Sequence, residues 1–416
     1  MKELELCKRN NSCRYCSSKN LESILFLGEH PPSNSFLKEE DIPKERSFPL
    51  EIYFCNDCAL VQLLDVVSPE HMFGDYLYLS STSRALKEHY AHLVTRLFKD
   101  FELGSNKKVC DIGCNDGILL DAYASVGDVI RIGVEPSSVH DVAEKKGHKI
   151  YSNFFTPEVA KKIVADHGKI DIASAMNIYP HVDDISEFTK GVKQLIAEKG
   201  TFIVEASYLI DLIEKKLFDT IYHEHLCYLS LTPVVNFLKK FDLEVFHVER
   251  LSFGASGPAL RFFIGHKGAH EIQSSVGDLL TFEEGWGVKD MQTYKNFGNQ
   301  VDRAKIELNA LMSTLCEEGK SIGGYGAPAK GNTLLNYFEI DDKKVSCIAE
   351  TNELKQGMLT PGSHIPIISE EEFLKRKPDY ALLLTWNYLD FFLEKSEYIK
   401  NGGKFIVPLP EPRILP

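Results

Sequence analysis

No apolar run in the sequence approaches the roughly 20 residues that a bilayer-spanning helix needs. The amino terminus, MKELELCKRNNSC, lacks the apolar core of an export signal. Membrane insertion and secretion are therefore not expected, and the expected location is cytoplasmic. Positive charge is also short: 47 Lys and Arg stand against 60 Asp and Glu, for a net charge of −13. Such a balance disfavours nucleic acid or an anionic membrane as the main partner, while leaving room for a local basic pocket. A disulfide framework is missing too. There are ten cysteines in 416 residues, and four of them fall into two CxxC pairs, which in an intracellular chain read as metal ligands. Internal repeats and low-complexity tracts are absent. What is present has ordinary globular composition and is too long for one core, so two or three domains are expected.

Three regions follow from the patterning. Residues 1–75 hold the paired cysteines and short apolar runs (LESILFLG, PLEIYFC) separated by turn formers, as in a small β-rich module. Residues 76–250 open with a helical pattern, SRALKEHYAHLVTRLFKDF, and then alternate strand and helix through KVCDIG, VIRIGVEP, IDIASAMN and GTFIVEAS. That alternation predicts a doubly wound, Rossmann-like α/β sheet. Residues 251–416 begin with a β segment, ERLSFGASGPALRFFIG, and continue through a long amphipathic helix near 288–318. A second Rossmann-like α/β set follows: SIGGYGAP, VSCIAE, DYALLLTW and KFIVPLP.

Cys13, Cys16, Cys55 and Cys58 offer four thiolates from two knuckle-type turns, the ligand set of a closed, structural Zn²⁺ site. In the middle region, Asp111-Ile112-Gly113-Cys114-Asn115-Asp116-Gly117 follows a strand and enters a helix. Gly113 permits a tight turn and Gly117 a close approach of helix and ligand. No Lys-Ser/Thr follows, which excludes a triphosphate-binding P-loop. The next strand ends in Glu135-Pro136, an acid placed about twenty residues on to accept from both ribose hydroxyls. Together these fit S-adenosylmethionine, its methionine part on the loop and its ribose on Glu135; NAD is the competing ligand on spacing. Asn177 and His181 follow the fourth strand, where residues face the ligand crevice. A surface-loop histidine is the plainer reading of His181.

The stretch Ile221-Tyr222-His223-Glu224-His225-Leu226-Cys227-Tyr228 gathers imidazoles, a carboxylate and phenols. It lacks the i, i+4 histidines of a helical zinc site. As an extended segment it would put His223 and His225 on one face and Glu224 on the other. It could handle protons, or its groups could satisfy one another at a domain junction. Near the carboxyl terminus, Gly323-Gly324-Tyr325-Gly326-Ala327-Pro328-Ala329-Lys330-Gly331-Asn332 runs from a strand into a helix. Helix-start amides and Lys330 suit a diphosphate or sugar, and a plain tight turn is the alternative.

Taken together, CxxC…CxxC, DIGCNDG, IYHEH, GAPAKGNTLLNY, TPGSHIPI and GGKFIVPLPEPR make the chain resemble sugar C-methyltransferases over nearly its whole length. The resemblance implies a zinc-binding first domain, a central S-adenosylmethionine domain and a third domain that helps to hold a nucleotide. The usual reaction of that family is methylation at C-3 of a 4-keto deoxysugar carried on dTDP. A sugar carbon becomes nucleophilic only after losing a proton to form an enolate, so a base and oxygen-directed donors are needed. His225 is the candidate base, with Glu224 to orient or tune it. Tyr222 and His181 are candidate donors to the enolate oxygen. Tyr76 is a further donor by family analogy, Tyr78 its rival and a candidate substrate contact, together with Lys330 and Asn332. Alternatives are an O- or N-methyltransferase of the same kind of sugar, and a non-catalytic zinc-containing binding protein. The sequence sets no oligomeric state and is compatible with a monomer.

Overall fold

In a computed structural model the described residues are 6–73, 79–254 and 257–416. The central sheet runs, edge to edge, Leu243–Leu251, Ala259–His266, Ile196–Ser207, Ile170–Met176, Lys108–Ile112, Ile130–Val134 and Lys149–Tyr151. The last five strands are parallel, and the first two close the edge as an antiparallel hairpin. Helices cover both faces of the parallel strands, so IDIASAM and GTFIVEAS are apolar with little alternation. The segment expected to open the third region supplies the edge hairpin instead. It buries Val245, Val248, Phe262 and Ile264 against the central core. The division expected after residue 250 therefore falls at the last residue of the strand Leu243–Leu251, which pairs with Ala259–His266 in the same sheet.

The amino-terminal sheet has four antiparallel strands: Leu21–His30, Phe48–Cys55, Val61–Leu63 and Cys227–Tyr228. The last of these comes from the central region, as the end of the stretch that carries His223 and His225. The carboxyl-terminal sheet is ordered Ile367–Ser369, Ile348–Glu350, Ile322–Tyr325, Tyr380–Leu383, Lys404–Val407 and Arg413–Leu415, parallel except for the final strand.

A helix spanning Met291–Glu317 joins these parts. Asp290 caps it, accepting from the Gln292 amide at 2.9 Å. Its buried stripe, Tyr294, Phe297, Val301, Ala304, Leu308, Met312 and Leu315, recurs every three to four residues. That stripe packs with Ile24 and Phe54 of the first sheet, Leu382 of the third and Phe338 of the helix Ala329–Phe338, in one continuous core. The cysteine end of the first module packs into the central core instead, through Cys13, Tyr15 and Cys55. A separate helix, Ser274–Trp286, precedes the long one and had not been expected from the pattern. No helix among the described residues is long and apolar enough to cross a membrane.

Candidate active site

The four cysteines form the metal site. All four Sγ atoms lie within 4.8 Å of one another, with Cys13–Cys58 and Cys16–Cys55 each at 3.5 Å. Tetrahedral zinc at a Zn–S distance of about 2.3 Å requires sulfurs about 3.8 Å apart, so the cage fits the ion. No pair is joined as a disulfide. Cys7 is not among the four.

The strand order of the central sheet reverses between Lys108–Ile112 and its neighbours, which opens a crevice at their carboxyl ends. Asp111 sits there, buried, accepting a 2.7 Å hydrogen bond from Ser174 Oγ. Burial pushes its carboxyl up to about 7. A ligand ammonium or sulfonium would restore its charge, which is the electrostatic fit for S-adenosylmethionine. Gly113 and Gly117 both adopt positive φ, 74° and 83°. A Cβ on Gly113 would stand 2.4 Å from Ile178 Cγ1, so only glycine lets the loop pass the segment carrying Asn177. Glu135 accepts from Asn115 N at 2.9 Å and from Ser137 N and Oγ at 3.0 and 2.6 Å. A carboxylate has further acceptor sites for ribose hydroxyls. Pro136 follows it, half-buried at the same crevice edge.

The side chains of Asn115 and Asp116 accept from the Ser80 and Ser81 amides at 2.9 and 3.2 Å. They tie the segment leading into the helix Arg84–Asp100 to the glycine loop. Tyr76 and Tyr78, just before that segment, lie outside the described residues.

Beside the loop is a small cleft lined by Asn177, Pro180, His181, Ser207, Thr220, His225, Cys227 and Tyr228. The histidine-rich stretch is not extended, as expected from sequence, but turns, with His225 N donating to Tyr222 O at 2.9 Å. The turn sends its three ionisable groups apart. His223 donates through Nε2 to Phe48 O at 3.2 Å. Glu224 accepts from Asn34 Nδ2 at 2.5 Å, its carboxyl pushed up by burial to about 7. Only His225 reaches the cleft wall, its ring 5.0 Å from His181 and 4.1 Å from Tyr222 between centroids.

Glu224, expected to orient His225, is thus bonded to Asn34. The orienting group is the Thr220 carbonyl, which accepts from His225 Nδ1 at 2.7 Å and leaves Nε2 as the basic nitrogen. Burial pushes the His225 imidazole down to about 4, from an ordinary value of 6.5. The surrounding protein and the neighbouring His225 ring push His181 down as well. The sequence reading had given no role to Thr220, Ser207 or Tyr228. Tyr228 stood in the quoted stretch, and its buried hydroxyl has no hydrogen-bond partner among the described residues. A backbone carbonyl such as Thr220's leaves no mark in a sequence.

The carboxyl-terminal loop stands at the same topological position of its own sheet. Lys330 is buried there, donating to Asn387 Oδ1 at 2.5 Å, 3.8 Å from Asp219 Oδ2 and over the Trp386 ring at 4.8 Å. Asn332 Nδ2 donates to Ser33 O at 2.7 Å. The two residues face the central and amino-terminal domains respectively, and Asn332 Oδ1 and Asp219 Oδ1 are buried without described partners.

The chain matches three domain models in succession: a zinc-binding domain over residues 13–73, a methyltransferase domain over 83–248, and a C-methyltransferase C-terminal domain over 254–410. It is 32% identical over 409 residues to the C-methyltransferase NovU of Streptomyces niveus, covering 97% of each chain. It is also 29% identical over 125 residues to a ubiquinone biosynthesis O-methyltransferase of Pelagibacter ubique, covering 27% of this chain and 50% of that one. Among solved structures, the magnesium protoporphyrin IX methyltransferase ChlM of Synechocystis PCC 6803, with bound SAH, is 14% identical with a TM-score of 0.35. That match covers 44% of this chain and 83% of the other.

Proposed function

The chain belongs to the zinc-containing C-methyltransferases, and from that premise we propose that it methylates C-3 of a 4-keto deoxysugar carried on dTDP. Its cofactor is S-adenosylmethionine and its structural metal is zinc. The cofactor supplies an electrophilic methyl group and a fixed positive charge beside the reacting carbon.

The observation that carries the reading is His225, held at the cleft wall in the neutral tautomer with Nε2 basic. In the proposed step Nε2 takes the proton from C-3, and the electron pair passes into the C-4 carbonyl as an enolate. A neutral base in a low-dielectric site becomes cationic as the enolate forms, so the two charges arise together and attract. His181 and Tyr222, whose rings adjoin His225, are assigned as donors to the enolate oxygen. Tyr76 and Tyr78 are retained as a donor and a sugar contact by resemblance. Asp111, the glycine loop and Glu135 are assigned to the cofactor, and Asn177 to the junction of cofactor and sugar. Lys330 and Asn332 are assigned to the nucleotide-sugar side.

The test is solvent deuterium incorporation into dTDP-, GDP- and CDP-linked 4-keto sugars by enzyme alone, read by mass. Exchange at one carbon of the dTDP sugar, abolished by His225→Ala with S-adenosylmethionine affinity retained, is the expected result. Methylation without any exchange under any condition would move the assignment to an oxygen or nitrogen acceptor.

A further inference from the structure

Three side chains of the first module converge on one carboxylate of the central domain. Lys8 Nζ lies 2.6 Å from Asp183 Oδ2, and Asn10 Nδ2 donates to Asp183 Oδ1 at 2.8 Å. Arg14 Nε donates to the same oxygen at 3.1 Å, from a side chain only 2% exposed. Burial pushes the Asp183 carboxyl up, but Lys8 and Arg14 outweigh it and hold it below its ordinary value. Asp183 stands two residues after His181, just beyond the turn Tyr179–His181.

Arg14 has a second attachment. It lies between Cys13 and Cys16, and its Nη1 donates to the Leu63 carbonyl and, at 3.3 Å, to Gln62 Oε1. Its own amide also donates to Gln62 Oε1, at 3.1 Å. Gln62 is fully buried and pairs in register with Cys227, while the Leu63 amide donates to Leu226 O at 2.9 Å. Leu226 and Cys227 immediately follow His225. One guanidinium therefore holds the segment after His181 with one edge and the strand beside His225 with another. Only a planar fork can serve both directions at once.

We propose that Arg14 is a positioning residue that sets the spacing of His181 and His225 across the cleft, and through it the rate of proton removal. The inference rests on the assignment of those two imidazoles to the reaction. A buried, multiply bonded guanidinium suits the task, because moving it would take a donor from the Leu63 carbonyl and leave Asp183 tethered to the first module by Lys8 and Asn10 alone.

The experiment measures deuterium exchange into the dTDP-linked 4-keto sugar at saturating sugar, with zinc content and S-adenosylmethionine affinity on the same samples. Wild type and His225→Ala come first: no exchange by wild type, or exchange surviving His225→Ala, defeats the assignment of the base rather than the role of Arg14. Given that baseline, Arg14→Gln and Asp183→Asn should each slow exchange about 10- to 100-fold, with KM, zinc content and cofactor affinity nearly unchanged. Arg14→Lys should recover only part of the rate. In a His181→Ala background, Arg14→Gln should have almost no further effect. A normal rate in Asp183→Asn, or the same fold loss with and without His181, overturns the proposal. Should Arg14→Gln lose zinc, Asp183→Asn, which lies outside the cysteine knuckle, decides alone.

Discussion

At His225 the hydrogen bond from Nδ1 to the Thr220 carbonyl and the burial of the ring act on different properties. The first selects the tautomer, and the second keeps the ring neutral by making the cation costly. With the imidazole pushed down to about 4, the basic form persists well below the ordinary histidine value. We expect kcat/KM to stay level as pH falls to about 5 and to decline only nearer 4. A half-loss close to 6.5 would show that the ring behaves as it does in water. Glu224 works in the opposite sense. Its carboxyl, pushed up to about 7, costs stability on ionising as pH rises from about 4 through 7, because the folded state then holds the proton more tightly than the unfolded chain. Glu224→Gln should therefore flatten the fall in thermal stability between about pH 4.5 and 7, measured by scanning calorimetry.

Among the elements, the strand–loop–helix carrying Asp111–Gly117 was the most legible in sequence. Its glycines have a steric cause, which the structure locates at Ile178 for Gly113. Gly113→Ala should weaken S-adenosylmethionine binding by roughly tenfold, about 1.4 kcal/mol, in calorimetric titration, with zinc content intact. An unchanged affinity would mean that the loop relaxes freely. The two CxxC turns were equally readable, since four thiolates meeting at one point have few other uses. The histidine-rich stretch was read less well, because an alternation of residue types cannot tell a short strand from a turn. The His225 amide bond to Tyr222 O decides it, and such a bond is set by the neighbours rather than by the stretch itself. The hairpin Leu243–Leu251 with Ala259–His266 was visible as β structure, but which sheet it joins depends on the partner, Ile196–Ser207.

Over the whole molecule, the zinc module is wedged between the other two domains, sharing one core with the long helix and the carboxyl-terminal sheet and another with the central sheet. Phe297, 1% exposed, lies within the first of these cores. Phe297→Ala should lower stability by about 3–5 kcal/mol. It should shift a single unfolding transition in which the amino- and carboxyl-terminal parts melt together, followed by calorimetry and zinc release. Two separated transitions, only one of them moved, would show that the shared core does not couple them.

The strand Cys227–Tyr228 completes a sheet whose other three members all lie before residue 64. During synthesis the cysteine module is thus made well before the strand that completes its sheet. Until residue 228 has been made, the edge of Val61–Leu63 presents its amides and carbonyls to any extended chain nearby. The same seam ties the first module to the central region in descent: an exchange of the first module for another must bring a strand that fits beside the segment carrying His225.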